Sequence, residues 1–399
     1  MKCDFYKKVL KNGMIILFEK RNIPVVSVAF AVKNGGINEL SDEKGISHFI
    51  EHMVFKGTTT RNFKQISQEI EKNGGVLNAF TDEIVTVYFC KMPSQHSDIA
   101  LNVLGDVVRN PLFDEKELEK ERKVIFEEIK MRKDNPMVHV VDEVQNLLYE
   151  NPLGLNLIGN YETMGSLDRK KLMNRFNSVH TPNNMILCVV GDMEFNDLVK
   201  FAEKNFPTKE GKVPKFKVNK KIGTKIEKRK GLDQANLVFA YHVPLANDKK
   251  NYAAQVLSTL MAEGMSSRLF LEIREKRNLA YAVKGESNIN KDFAYNLVRV
   301  GTTKENVEKV KQLILEEFKK VSEELTEEEL RQVKEQMIGN YQIAMEESQN
   351  QMVNLIFSEL NGKAEDFYTF EDKIRTVNLE DVKSLAIIKD YSFMALVPE

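Results

Sequence analysis

Two periodicities alternate along this chain. Met14–Phe18 and Val25–Val32 are rich in β-branched residues and flank Arg21-Asn22-Ile23-Pro24, which predicts two neighbouring, paired strands. A short helix is expected between Gly45 and Gly57, with Ser41 or Asp42 as its N-cap and Glu43 in its first turn. A second helix over Phe63–Lys72 stops at Asn73-Gly74-Gly75, and one long strand follows from Val76 to Cys90. The pattern then turns helical over Ser94–Arg109, Asp114–Lys133 and from Pro136 to near Asn151. A strand at Met185–Val190 and a helix at Asn196–Asn205 close this half.

Residues 207–231 are rich in lysine, with proline and glycine, and read as a linker plus an edge strand. Beyond them come a strand at Asn236–His242, helices at Asn251–Glu263 and Ser266–Lys276, and strands at Ala280–Val283 and Ala294–Val300. Long helices at Lys304–Val321 and Thr326–Leu360 then lead to a last strand near Phe393–Val397. The order echoes the first half: FKQISQEIEKNGGVLNAFTDEIVTVYF and LFLEIREKRNLAYAVKGESNINKDFAYNLVRV each run from a charged helix into a long extended stretch. The expected class is α+β, with two related domains, each a mostly antiparallel sheet packed by helices. Their expected spans are 1–208 and 231–399, with 209–230 as linker and edge strand.

Composition narrows the partners. Fifty-eight basic against 59 acidic residues leave a net charge of -1, so nothing calls for nucleic acid or an anionic membrane surface, and the lysines of 207–231 fit a linker better than a nucleic-acid site. Cys3, Cys90 and Cys188 form no C-x-x-C pair. The last two lie in apolar runs and are expected to be buried thiols in a reducing compartment. No run approaches the roughly 20 apolar residues of a membrane span and the N-terminal stretch lacks a signal-peptide core, so a cytoplasmic location is expected.

The predicted short helix carries His48-Phe49-Ile50-Glu51-His52. At helical pitch His48 and His52 stand one turn apart on one face with Glu51 beside them. Two neutral imidazoles at that spacing can grip zinc, and a carboxylate next to the open coordination position can take a proton from bound water. A catalytic zinc keeps three protein ligands, so a third is required. In the helix 114–133, Leu118, Val124, Ile125 and Ile129 span an arc of about 140° that also holds Glu121 and Glu128 but not Glu127. Carboxylates on a buried face need a cation or strong donors, which a metal and its histidines would provide.

HFIEH with the downstream ERKVIFEEI resembles the zinc site of pitrilysin-type metallopeptidases, the HxxEH or inverzincin group that includes mitochondrial processing peptidase. The resemblance covers the chain from Leu10 to Pro398. It implies His48, His52 and Glu128 as ligands of one Zn2+ per chain, Glu51 as general base, and Glu121 as a carboxylate orienting a ligand histidine. GGVLNAFTDEIVTVYF resembles that family's edge strand, implying that substrate adds by main-chain pairing near Asn78 and Ala79. GMSSRLFLEIREKRNLAYAV implies Arg274 and Tyr281 as a pair that binds the substrate carbonyl or its oxyanion. The implied activity is zinc-dependent endopeptidase cleavage of peptides or unfolded segments in an enclosed peptide-binding cavity, by a half-length member that forms a homodimer. The alternative is a non-catalytic structural or assembly subunit, which typically loses part of this motif.

Overall fold

The computed structural model describes residues 4–399; Cys3 lies outside them. Among the described residues the chain forms two compact units. The first comprises the chain through Lys130 together with Leu155–Lys217 and Ala344–Phe367; the second takes Met131–Gly154, Val218–Ile343 and Tyr368–Glu399.

The first unit is built on a six-stranded sheet of β1 (Asp4–Val9), β2 (Ile15–Lys20), β3 (Val25–Val32), β4 (Val76–Thr81), β5 (Thr86–Pro93) and β6 (Met185–Gly191), in the order β1-β2-β6-β3-β5-β4. β2 and β3 are therefore not partners, as their closeness in sequence suggests. β6, buried at every position, lies between them, parallel to β2 and antiparallel to β3. A strand apolar on both sides is stable only in a sheet interior, which outweighs the local pairing of its neighbours. The single long strand expected over 76–90 is a hairpin. Asp82 N–H bonds Val85 O at 2.8 Å and Ile84 N–H bonds Asp82 Oδ1, which turns the chain without glycine or proline. This leaves β4 on the sheet's open edge.

The second unit holds β7 (Thr224–Arg229), β8 (Ala235–His242), β9 (Ala280–Ile289), β10 (Ala294–Thr302) and β11 (Ser392–Pro398), ordered β7-β11-β8-β10-β9. β7 pairs parallel with β11, and every other pairing in this sheet is antiparallel. Removing β1 from the first sheet leaves the same chain order and the same single parallel pair. The expected duplication is thus a shared topology, in which β9 corresponds to β4.

Helices α1 (Ile46–Val54), α2 (Phe63–Glu71), α3 (Ser97–Val107) and α4 (Glu115–Asp134) belong to the first unit for nearly all their length, but α5 (Pro136–Leu148) packs on β8 and β11 of the second sheet. Reciprocally, the helix Ser348–Asn361 packs on β3 and β6 of the first. The expected helix over 326–360 is broken to permit this. It ends at Ala344, and Glu347 starts the next by accepting the Asn350 N–H. The central strands of the first sheet are accordingly buried on both faces: Phe30, Val28 and Leu187 join the main apolar core. On the other face Cys188 directs its thiol to Met352 O, and Ser27 Oγ meets Ser348 Oγ at 2.9 Å. The contiguous division at 208 and 231 therefore differs from the packing units, which exchange one helix each way.

Candidate metal centre

A nine-residue helix is too short to persist alone in water, so packing must hold α1. Ile46, Phe49, Ile50, Met53 and Val54 are buried in the core of the first unit. At about 2 kcal/mol for each large apolar side chain, that burial fixes the helix phase. The opposite face presents the polar groups. His48 and His52 have ring centroids 4.6 Å apart with planes inclined by 68°. Ser41 and Asp42 do not cap this helix; Ser41–Glu43 form a separate turn, and the residue before α1 is Gly45 at φ 92, without a side-chain cap.

Glu128 reaches the histidines from α4. Its Oε2 lies 3.4 Å from His48 Nε2 and 3.6 Å from His52 Nε2, and one donor atom from each of the three residues can be chosen within 4.8 Å of the others. Ligands about 2.0–2.1 Å from a tetrahedral zinc stand roughly 3.4 Å apart, so the donor set fits the ion and the two carboxylate–imidazole spacings match it. Glu121, two turns earlier on α4, is buried and its Oε2 lies 3.1 Å from His52 Nδ1, which holds that nitrogen as the donor and leaves Nε2 facing Glu128. Lys56 Nζ sits 2.6 Å from Glu121 Oε1. Burial acts to raise the Glu121 carboxyl's pKa, but the hydrogen bonds from His52 and Lys56 outweigh it and lower it. Burial likewise acts to lower the His52 imidazole's pKa, yet its hydrogen bonds to Glu121 and Glu128 dominate and raise it to about 9. The helical phase separated the carboxylates correctly, with Glu127 exposed. Val124, placed on the buried arc by periodicity, is 49% exposed; the apolar contact of α4 runs through Leu118 and Ile125, with Phe126 and Ile129 partly buried beside them.

Glu51 takes a different set of neighbours from the same turn of α1. Its Oε2 accepts the Thr81 hydroxyl at 2.5 Å, from the last residue of β4. Burial raises the Glu51 carboxyl's pKa above its ordinary value and Glu128 adds to this, while the Thr81 hydrogen bond and His52 oppose it. Thr81 was not singled out from the sequence, since its link to Glu51 exists only once the hairpin closes 30 residues downstream. Asn78 and Ala79 lie on β4, where the Ala79 N–H donates to Asn78 Oδ1 at 2.8 Å.

Arg274 and Tyr281 are brought together in the second unit. Phe270–Glu275 is a π-helical turn, and Arg274 lies over the rings of Phe270 and Tyr281 at 4.8 and 5.1 Å. Tyr281, near the start of β9, is 81% exposed. Arg274 Nε also lies 3.6 Å from Glu275 Oε1.

Comparison with known proteins gives the family. Residues 14–160 match the family described as Insulinase (Peptidase family M16), and 166–337 match Peptidase M16 inactive domain. An uncharacterized zinc protease of Rickettsia felis is 34% identical over 350 residues, covering 87% of this chain and 85% of its own. The chain belongs to peptidase family M16. Another M16-like relative, the uncharacterized zinc protease YmxG of Bacillus subtilis, is 32% identical over 398 residues and 97% of both chains. A crystal structure of a protease from Helicobacter pylori shares the M16 fold with a TM-score of 0.90 at 23% identity, across 99% of this chain and all of that one. All of His48, Glu51, His52, Glu121 and Glu128 fall in the first matched region, and the region described as inactive is the half without HxxEH.

Proposed function

We propose that this M16 chain is a zinc-dependent endopeptidase for peptides or unfolded polypeptide segments, with Glu51 as general base. The observation that carries the reading is the convergence of His48, His52 and Glu128 within 4.8 Å, next to a half-buried Glu51 that is hydrogen-bonded to an edge strand. His48, His52 and Glu128 would hold the ion, and zinc bound there supplies a Lewis acid and a water acidified toward pH 7. Glu51 takes the water's proton on its carboxylate and returns it to the leaving amine. Thr81 fixes the orientation of that carboxylate, and Glu121 keeps the His52 Nδ1 proton in place. An extended substrate pairing along β4 lies main chain to main chain beside Thr81, so recognition favours unfolded segments over folded ones. Arg274 and Tyr281 bind the substrate carbonyl in this reading, supported by their resemblance to the family pair. The completeness of the ligand set and base weighs against a non-catalytic subunit. The test is cleavage of a quenched peptide library: activity vanishes with a zinc chelator and returns with added zinc. Cleavage unaffected by chelation at zero bound metal contradicts the reading.

A further inference from the structure

The first turn of the HxxEH helix has free N–H groups and no cap of its own, because Gly45 offers no side chain. A carboxylate from outside the helix fills that place. Glu39 accepts the Gly45 N–H on Oε2 at 2.9 Å and the Ser47 N–H on Oε1 at 2.8 Å, and Ser47 directly precedes His48. Glu39 is 0% exposed. Its counter-charge is Lys44, 1% exposed, with Nζ 3.8 Å from Glu39 Oε2. The same ammonium donates to Gly36 O at 2.9 Å and stands 3.5 Å from Glu83 Oε2, in the turn between β4 and β5. That turn is also tied by backbone bonds from Gly36 N–H to Asp82 O and Ile37 N–H to Glu83 O. A Cβ on Gly36 would come within 2.3 Å of Glu83 Oε2, so the loop and the turn are in close contact.

The start of α1 is thus joined to one end of the hairpin through Glu39, Lys44 and Glu83, while the middle of α1 is joined to the last residue of β4 through Glu51 and Thr81. Two links on the same helix fix both its distance from the edge strand and its rotation. We propose that Glu39, with Lys44, is a positioning residue that sets where His48, Glu51 and His52 stand relative to β4. The inference rests on the peptidase reading of the metal centre for its effect on turnover, but not for its effect on the metal ligands. Buried charges are costly to leave unmatched, and a carboxylate at a helix N-terminus meets both the free N–H groups and the positive end of the helix dipole.

Glu39→Gln tests this, because it keeps the shape but replaces one acceptor with a donor facing the Gly45 N–H. The comparison variant is Asp106→Asn, which disturbs another buried carboxylate of the same unit, bonded to Thr58, Thr60, Arg61 and Asn110 and not to α1. Both are measured as full chains for thermal midpoint, zinc affinity by competition with a chromophoric chelator, and kcat and KM on a quenched peptide. Glu39→Gln is expected to weaken zinc affinity about tenfold and lower kcat at least about tenfold, with KM within about twofold of wild type. Asp106→Asn, corrected for any loss of folded protein, keeps both zinc affinity and kcat within about twofold. Equal losses in the two variants, or wild-type zinc affinity in Glu39→Gln, overturn the proposal. If the wild-type chain cleaves no peptide, the peptidase reading fails and zinc affinity alone decides the positioning role; where Glu39→Gln does not fold, Lys44→Met gives the same readings against the same comparison.

Discussion

His180 shows how a single buried residue can set a limit on conditions. It is buried beside Tyr88, whose hydroxyl lies 3.0 Å from its Nε2, and its ring stacks on Phe176 at 4.1 Å between centroids. Burial pushes its pKa from 6.5 down to about 3. The folded chain therefore holds it neutral, while the unfolded chain takes up a proton below pH 6.5. Stability from this group is complete above pH 6.5 and falls as pH drops toward 3, by about 1.4 kcal/mol per unit. Denaturant unfolding between pH 7 and 4 should show a shallower acid loss in His180→Gln than in wild type. Parallel curves for the two chains would exclude His180 as the source. The residues of the metal centre were legible in the sequence where one helix carries them: HFIEH by spacing, and Glu121 and Glu128 by phase on α4. Thr81, Lys56 and Glu39 were not, since each acts on a partner whose position depends on tertiary closure, and a threonine, lysine or glutamate in those contexts has no distinguishing pattern.

At the scale of elements, most helices and strands were readable because their apolar periodicity is strong, and the failures share a cause. The hairpin at 82–85 turns on an aspartate side chain instead of glycine or asparagine-glycine, so its sequence reads as continuous strand. β6 separates β2 from β3 because a fully apolar strand takes the sheet interior, a long-range preference that local turn signals do not carry. The hairpin matters for function: splitting the expected long strand puts β4 at the sheet edge and Thr81 on Glu51. Ala79→Pro removes a main-chain donor from β4, and each such bond contributes about 1 kcal/mol. It should raise KM for a peptide about threefold to tenfold while altering kcat less. An unchanged KM would show that substrate does not add to this edge.

At the scale of the whole molecule, the duplicated topology and the exchanged helices set what can fold alone. The helix Ser348–Asn361 buries Met352, Leu355 and Ile356 and supplies Gln351, whose Nε2 donates to the buried Glu19 at 2.6 Å. A fragment of residues 1–208 lacks that helix while keeping α5, which packs on the other sheet. It is expected to bind a hydrophobic dye strongly and to unfold without a cooperative transition. A sharp two-state melt of the fragment would contradict the exchange. No helix among the described residues is long and apolar enough to cross a membrane. The central claim, that His48, His52 and Glu128 hold zinc while Glu51 moves the proton, separates binding from chemistry in one residue. The direct measurement is zinc content and peptide cleavage in Glu51→Gln beside wild type. The account predicts one zinc per chain in both and a loss of at least about a hundredfold in kcat for the variant; Glu51→Gln cleaving near the wild-type rate with zinc bound would contradict it.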